Sequence, residues 1–432
     1  MFVSENLGTN ELGHLTIGGV DTVALAQEYS TPLYVMDENQ IRKHCRSFKN
    51  SIDQFYGGNG LVCYASKAFS CKEMYRVVAS EGLGVDVVSG GELYTAMAAG
   101  MDAKKICFHG NNKTLDELNM ALDYGVGRII VDNIYELHTL DALCAERGTT
   151  ADILFRIKPG VDAHTHDFIR TGQIDSKFGF ALETGEAFEA VRLALACEHL
   201  NFAGVHCHIG SQILDTQGFE TAAEVMMTFI KQIRDELGAE VRDLNLGGGF
   251  GIQYTQKDDP LPYERFMEVV SEVIHNFCAM YDMALPFILI EPGRSIAAPA
   301  GITLYTVGGK KVIPDIRTYV SVDGGMCDNP RYIMYQAEYD ALIANRASAP
   351  KDTIVTIAGK CCESGDLIGE NMSLQACEPG DILAVCATGA YNYSMSSNYN
   401  RILKPAVVFV KDGEAREVVR RETLEDLIRN DL

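Results

Sequence analysis

Eight short apolar runs, separated by helical patterns, constrain this chain more than any other feature of its sequence. They fall at 61–65, 84–88, 105–108, 128–131, 152–157, 202–208, 243–247 and 287–291. Each is strand-length, most are rich in β-branched or aromatic residues, and each gap carries a helix-length period. The gap at 114–124 opens on Thr114 with Glu117 three residues on, which is a capping box. Further helices are predicted at 218–237 and, before the first strand, at 37–55. Eight strands separated by helices predict parallel pairing. At 432 residues the leading architecture is a closed (β/α)8 barrel. A doubly wound open sheet has the same periodicity, so the pattern leaves that alternative standing.

After Arg294 the rhythm changes. Strand-like runs at 302–307, 318–322, 353–358, 381–387 and 404–411 follow one another with turns between them, which reads as an all-β domain. The segment 12–35 contains β-like pieces that can pair with it, and 423–429 reads as a short terminal helix. The expected organisation is a barrel over 37–294, inserted between two pieces of one β-sandwich-like or β-barrel-like domain, 1–36 and 295–432. Residues 162–175 read as a loop.

Composition removes whole classes of function. A net charge of -22 argues against nucleic acid or an anionic membrane as partner, so an anionic ligand needs local arginines. No run approaches the roughly 18 apolar residues of a membrane span. Met1 to Asn10 lacks the basic and apolar stretches of a secretory leader. Thirteen cysteines without a C-x-x-C pair suit reduced thiols in the cytoplasm better than disulfides or a zinc site.

In such a barrel, chemistry sits at the C-terminal ends of the strands. Lys67 follows the first strand, Asp86 lies in the second, His109 follows the third and Arg156 lies in the fifth. His208 ends the sixth, Gly247-Gly248-Gly249 ends the seventh and Glu291 ends the eighth. A lysine at the mouth of a buried strand can be desolvated, which makes its amine a nucleophile toward an aldehyde. That is the requirement for a Schiff base with pyridoxal phosphate; a solvated lysine is the ordinary alternative. The glycines leave N–H groups open to an anion such as phosphate, and Ser211 can add a hydroxyl. His208 can stack on a planar cofactor or be a structural histidine. A carboxylate at Glu291, facing a pyridine nitrogen, keeps that nitrogen protonated and the ring electron-accepting. An ion pair with Arg294 is the other reading. His206 shares a strand face with His208, but no third ligand stands at a metal-binding spacing, so no metal is expected.

Taken in order, the motifs resemble those of the barrel-fold pyridoxal phosphate decarboxylases of amino acids, most closely the branch acting on diaminopimelate. The resemblance runs from Leu33-Tyr34-Val35 to about Pro405. It rests on Tyr64-Ala65-Ser66-Lys67-Ala68, Val85-Asp86-Val87-Val88-Ser89-Gly90-Gly91-Glu92-Leu93, His109-Gly110-Asn111-Asn112-Lys113 and His206-Cys207-His208-Ile209-Gly210-Ser211-Gln212. Later come the triple glycine, Glu291-Pro292-Gly293-Arg294-Ser295, Cys362-Glu363-Ser364-Gly365-Asp366 and Gly389-Ala390-Tyr391. The resemblance implies that Lys67 carries the cofactor, Glu291 pairs with the ring nitrogen and His208 stacks on the ring. Asp86 belongs to the same cofactor site. Ser211, Gly248, Gly249, Gly293, Arg294 and Tyr391 surround the phosphate. Arg294, Arg331, Tyr335, Glu363 and Tyr391 hold the substrate, and Cys362 donates a proton to the carbon that loses carbon dioxide. In the family Cys362 and Glu363 reach the neighbouring subunit's site, which implies a homodimer with shared sites.

The activity so implied is decarboxylation of meso-2,6-diaminopimelate to L-lysine and carbon dioxide, the final step of lysine biosynthesis. That substrate keeps a carboxylate and an ammonium at its distal end. Arg294 and Arg331 can hold the carboxylate, each charge-assisted hydrogen bond contributing about 1.5–3 kcal/mol, and Glu363 can meet the ammonium. A related decarboxylase of ornithine, arginine or a carboxylated polyamine is the alternative. A binding protein without activity would need neither Lys67, Glu291 nor Cys362. Two positions depart from or blur the pattern. The family's arginine precedes a proline, whereas Arg331 follows Pro330; and Cys361 stands beside Cys362, although only Cys362 fits the motif.

Overall fold

The computed structural model describes residues 2–161 and 176–432; the loop expected over 162–175 lies outside them. The chain divides into two compact units. One comprises His44–Gly251 and Pro260–Gly293; the other comprises Met1–Lys43, Ile252–Asp259 and Arg294–Leu432.

The first unit is a closed parallel barrel. Its strands are Gly60–Ala65, Gly84–Val87, Ile106–Phe108, Arg128–Val131, Ala151–Lys158, Leu200–Cys207, Asp243–Asn245 and Phe287–Ile290. Closure follows because each strand pairs with the next and the eighth returns to the first. Ile129 faces Ile153 across the fourth and fifth strands, and Leu289 faces Leu61 across the eighth and first. The open-sheet alternative is thereby excluded. A short extra strand, Phe180–Ala181, runs beside Ile157 and Lys158. Parallel strands covered by helices are buried on both faces, which is why they read as continuous apolar runs. Inside the barrel, Cys63, Cys107, Ile130, Leu154, Ala203 and Leu289 form a buried cluster.

The helices start where side chains satisfy their free N–H groups. Leu115–Tyr124 is capped by Thr114, with the reciprocal bond from Glu117. The other Glu117 oxygen takes the Gly90 N–H at 2.7 Å, so one carboxylate ties down the starts of two successive helices. The predicted helix at 218–237 is observed as Gln217–Leu237.

The second unit is mostly β. Its large mixed sheet centres on the long strand Gly301–Ile313, which pairs with Arg317–Val322, Leu33–Asp37 and Ile382–Val385. Ala406–Lys411 lies parallel to Leu33–Asp37. Of the β-like pieces expected within 12–35, one pairs with this sheet, through Leu33–Asp37. Leu7–Thr9, Leu15–Ile17 and Val20–Asp21 form a separate three-stranded sheet. Thr22–Tyr29 is a helix, because the Asp21 carboxylate accepts the Val23 and Ala24 N–H groups and caps it. Only Leu33–Asp37 joins the large sheet. The reading also missed Ala341–Ile343, Leu367–Leu374 and Glu414–Val419. The last two are edge strands, and edges carry the polar residues that blur an alternating pattern.

Candidate active site

Lys67 leaves the first barrel strand on a single 3-10 turn, Ser66–Ala68. Ser66 shapes that turn: its Oγ lies 2.7 Å from both the Asp86 carbonyl and Glu92 Oε2. Glu92 also accepts the Val88 N–H at 2.9 Å. The Lys67 Nζ donates to Asp86 Oδ2 at 3.1 Å. The expected desolvation is not what the structure has. The Lys67 side chain is 41% exposed, whereas its carboxylate partner is fully buried. An ion pair, rather than loss of water, sets this amine's surroundings, because Asp86 on the adjacent strand reaches it first. Asp86 Oδ1 is buried and has no hydrogen-bond partner.

Glu291 ends the eighth strand inside a cage of donors. His109 Nε2 lies 2.7 Å from Oε1, Asn245 Nδ2 donates to Oε1 at 2.6 Å, and His206 Nε2 lies 3.3 Å from Oε2. Burial pushes the carboxyl up, but attraction to His109 and the hydrogen bonds from His109 and His206 outweigh it and hold Glu291 well below the usual carboxylate range. Burial brings the His206 imidazole down to about 3, despite the pull of Glu291. His206 is therefore neutral near pH 7 and gives its Nε2 proton to Glu291. Its Nδ1 is buried without a partner. The third partner that sequence spacing did not supply for His206 comes from two other strands. His109, His206 and Glu291 bring one ligand atom each to within 4.8 Å of one another. They are joined by hydrogen bonds among themselves.

His208, at the end of the sixth strand, is half-buried. Its Nδ1 accepts the Gly248 N–H at 3.3 Å, so the proton of the neutral ring sits on Nε2. Burial, then repulsion from Lys67 and Arg156, keeps that ring neutral. The glycine run behaves differently from expectation. A Cβ on Gly248 would lie 2.1 Å from the Glu291 carbonyl oxygen, so packing alone demands glycine there. The Gly247 N–H is spent on Asn245 Oδ1 and the Gly248 N–H on His208. Among the described residues only Gly249 of the three offers an unspent N–H, and its φ of +114° is one that glycine tolerates best. Ser211 is half-buried. Gly293 packs its α-carbon against Ala65, where a Cβ would meet the Ala65 Cβ at 2.9 Å.

The remaining candidates belong to the β-rich unit. Arg294 and Arg331 are both buried. Pro330 starts the one-turn helix Arg331–Tyr335, which puts Arg331 and Tyr335 on one face and holds the Tyr335 ring centroid 6.0 Å from the guanidinium. Following a proline thus suits Arg331 to open that turn. Arg294 lies 4.8 Å from the Tyr391 ring centroid and Arg331 lies 5.9 Å from it. Tyr391 has a φ of +61°, an uncommon conformation for a bulky residue. Both arginines also meet Tyr254, and Arg331 donates to Tyr339 Oη at 2.7 Å. Cys361 is buried; Cys362 and Glu363 are exposed. The Cys362 N–H donates to Asn400 Oδ1 at 2.6 Å.

Sequence reasoning left His109 and His206 without roles and missed Asn245, Tyr254 and Tyr339. His109 and His206 stood at strand ends, the one signal available. Sequence marked their common partner, Glu291, but not the pairing, which for His109 spans 182 residues.

Known proteins bear on this geometry. Residues 38–298 match the family model for the pyridoxal binding domain of pyridoxal-dependent decarboxylases. The chain is 52% identical to the diaminopimelate decarboxylase of Bacillus subtilis, over 100% of this chain and 98% of that one. It is 46% identical to the diaminopimelate decarboxylase of Staphylococcus aureus, over 98% of each. Among solved structures, diaminopimelate decarboxylase of M. jannaschii in complex with L-lysine superposes with a TM-score of 0.92 at 36% identity. The match covers 100% of this chain and 99% of that one.

Proposed function

The chain belongs to the pyridoxal-dependent decarboxylases, in their diaminopimelate decarboxylase branch, and we propose that it converts meso-diaminopimelate to L-lysine and carbon dioxide. That reaction is the last step of lysine biosynthesis. The observation that carries the reading is Lys67 at the mouth of a closed barrel that also buries an ionised Glu291 in a cage of donors.

The residues present suit pyridoxal phosphate. Two buried polar atoms, Asp86 Oδ1 and His206 Nδ1, have no hydrogen-bond partner among the described residues. Glu291 Oε1 already accepts two bonds, but Oε2 accepts one and keeps a lone pair for a protonated ring nitrogen. When bound, the cofactor supplies a sink for the electrons released as the carbon–carbon bond to carbon dioxide breaks.

The protein's residues divide the remaining work. Lys67 presents the amine that takes the cofactor, and Asp86 aims it. Glu291, kept negative by its cage, holds a proton on the ring nitrogen. His208 offers a neutral ring face and turns its Nδ1 toward Gly248, so its plane is fixed. Ser211, Gly249, Gly293, Arg294 and Tyr391 hold the phosphate; Gly248 serves by close packing. Arg294 and Arg331, with Tyr335 and Tyr391 beside them, take the distal carboxylate, and Glu363 takes the distal ammonium. Cys362 gives a proton to the carbon that has lost carbon dioxide. Its exposure and that of Glu363 support a homodimer in which both serve the partner's site.

We place the enzyme in the cytoplasm, whose reducing conditions suit thirteen cysteines that form no disulfide. No helix among the described residues is long and apolar enough to cross a membrane. The test is carbon dioxide release from a panel of meso-diaminopimelate, ornithine and arginine. Fastest turnover is expected on meso-diaminopimelate, with L-lysine formed in equal amount. Faster turnover of ornithine or arginine would assign the enzyme to the related decarboxylases instead.

A further inference from the structure

Two guanidiniums converge on one phenol. Within the β-rich unit, Arg294 Nη1 donates to Tyr254 Oη at 2.5 Å and Arg331 Nη1 donates to the same oxygen at 3.0 Å. All three side chains are buried. A phenolic oxygen has two lone pairs and one proton. The arginines occupy both lone pairs, so the hydroxyl proton points away from them. No acceptor among the described residues takes it.

The surroundings of Tyr254 are fixed. Its own N–H goes to Asp258 Oδ2 at 3.1 Å, and its carbonyl accepts the Asp340 N–H. The Asp258 carboxylate also takes the Thr255 N–H at 2.8 Å, so it is turned to the backbone. The Tyr339 ring meets the Tyr254 ring edge-on at 5.2 Å. The charged groups facing the phenol are thus the two arginines, and both are cations.

We infer that Tyr254 is a positioning residue for anion capture: its oxygen spaces Arg294 and Arg331 before an anion arrives, and its O–H becomes a third donor once one is bound. The inference rests on the reading of Arg294 and Arg331 as anion-binding residues and adds a member to that set. The anion is an oxyanion, either the cofactor's phosphate or the substrate's distal carboxylate.

A pH signature follows. Burial raises the phenol, but the two guanidiniums outweigh it and hold Tyr254 below its ordinary value. Above that lowered value the residue is itself an anion between the arginines and has no proton to donate. Anion affinity therefore falls as pH rises through it.

The test uses full-length, cofactor-free protein, with pimelate, a seven-carbon dicarboxylate without amines, and inorganic phosphate as separate probes. Calorimetry from about pH 8, where phosphate is already a dianion, to about pH 10 approaches the ordinary tyrosine value from below. Wild type should bind more weakly as pH rises. Tyr254→Phe should bind about tenfold more weakly at the low end, the loss of one charge-assisted bond, and should lack the alkaline decline. An effect on pimelate alone assigns the O–H to the substrate's carboxylate; on phosphate alone, to the cofactor; on both, to a shared site. Unchanged affinity and pH dependence for both probes would overturn the inference. Arg331→Gln separates the two levels. If it too leaves both probes unaffected, the reading of the arginines fails; if it weakens binding while Tyr254→Phe does not, only the tyrosine's role fails. Should Tyr254→Phe not fold, tyrosinate absorbance in wild type decides. One tyrosine should ionise below the rest and move upward with saturating phosphate or pimelate; failure of either overturns the inference.

Discussion

At the scale of single residues, Glu291 and its neighbours carry a measurable cost. His206 is held neutral to about pH 3 by burial, whereas an unfolded histidine titrates near 6.5. Below about 6.5 the unfolded chain takes up a proton that the folded one refuses. Stability should therefore fall with falling pH, by up to about 1.4 kcal/mol per pH unit for this group, until the folded value is reached. His208 acts in the same direction. The depressed Glu291 carboxyl works at lower pH: it stabilises above the ordinary carboxylate value and stops doing so as pH falls through its folded value. Urea unfolding at about pH 7 and about pH 5 brackets this loss; burial lifts the Asp328 carboxyl to about 7, which works in the opposite direction there, so the comparison of wild type with a His206 variant is what isolates the imidazole. His206→Gln should flatten the loss between those points, and an unchanged slope would contradict its assignment as neutral. Sequence made Lys67 and Glu291 legible because strand ends mark where barrel chemistry lies. It left Asn245 and Tyr254 dark. Asn245 reaches the site through a carboxylate 46 residues on. Tyr254 follows the glycine run by five residues yet folds with the β-rich unit, and no local pattern records that choice.

Among elements, those with period and punctuation were readable. The fourth strand, Arg128–Val131, was placed to the residue, and the capping box at Thr114 correctly marked the start of Leu115–Tyr124. What the capping box hid is that Glu117 also holds Gly90 at the start of Gly90–Ala99. Loss of Thr114 removes one cap, whereas loss of Glu117 frees the starts of two helices. Thr114→Ala should cost about 1 kcal/mol, and Glu117→Ala about twice that, by reversible chemical unfolding. Equal costs would mean the bond to Gly90 contributes nothing. Elements fixed by long-range pairing were harder. Leu367–Leu374 gains strand form from Thr353–Ala358, and Glu414–Val419 from Ala406–Lys411. Their own side chains do not alternate clearly enough to announce it.

For the whole molecule, the proposed sharing of sites between two copies makes a numerical prediction. Lys67→Ala and Cys362→Ala proteins should each be nearly inactive. Mixed in equal amounts and allowed to exchange subunits, half the dimers pair one of each, and each such dimer keeps one intact site of two. Recovery of roughly a quarter of wild-type activity is expected from a two-fold assembly. No recovery after verified exchange would place Cys362 in its own subunit's site or outside the reaction. The acidity of the chain bears on the same scale: with a net charge of -22, buried arginines have to attract an anionic substrate locally. The claim that organises the whole account is that Lys67 takes the cofactor. Reducing the loaded protein with borohydride and mapping the modified peptide by mass spectrometry tests it. The label should fall on Lys67 and disappear in Lys67→Ala; a label on another lysine such as the buried Lys113, or no label at all, would contradict it.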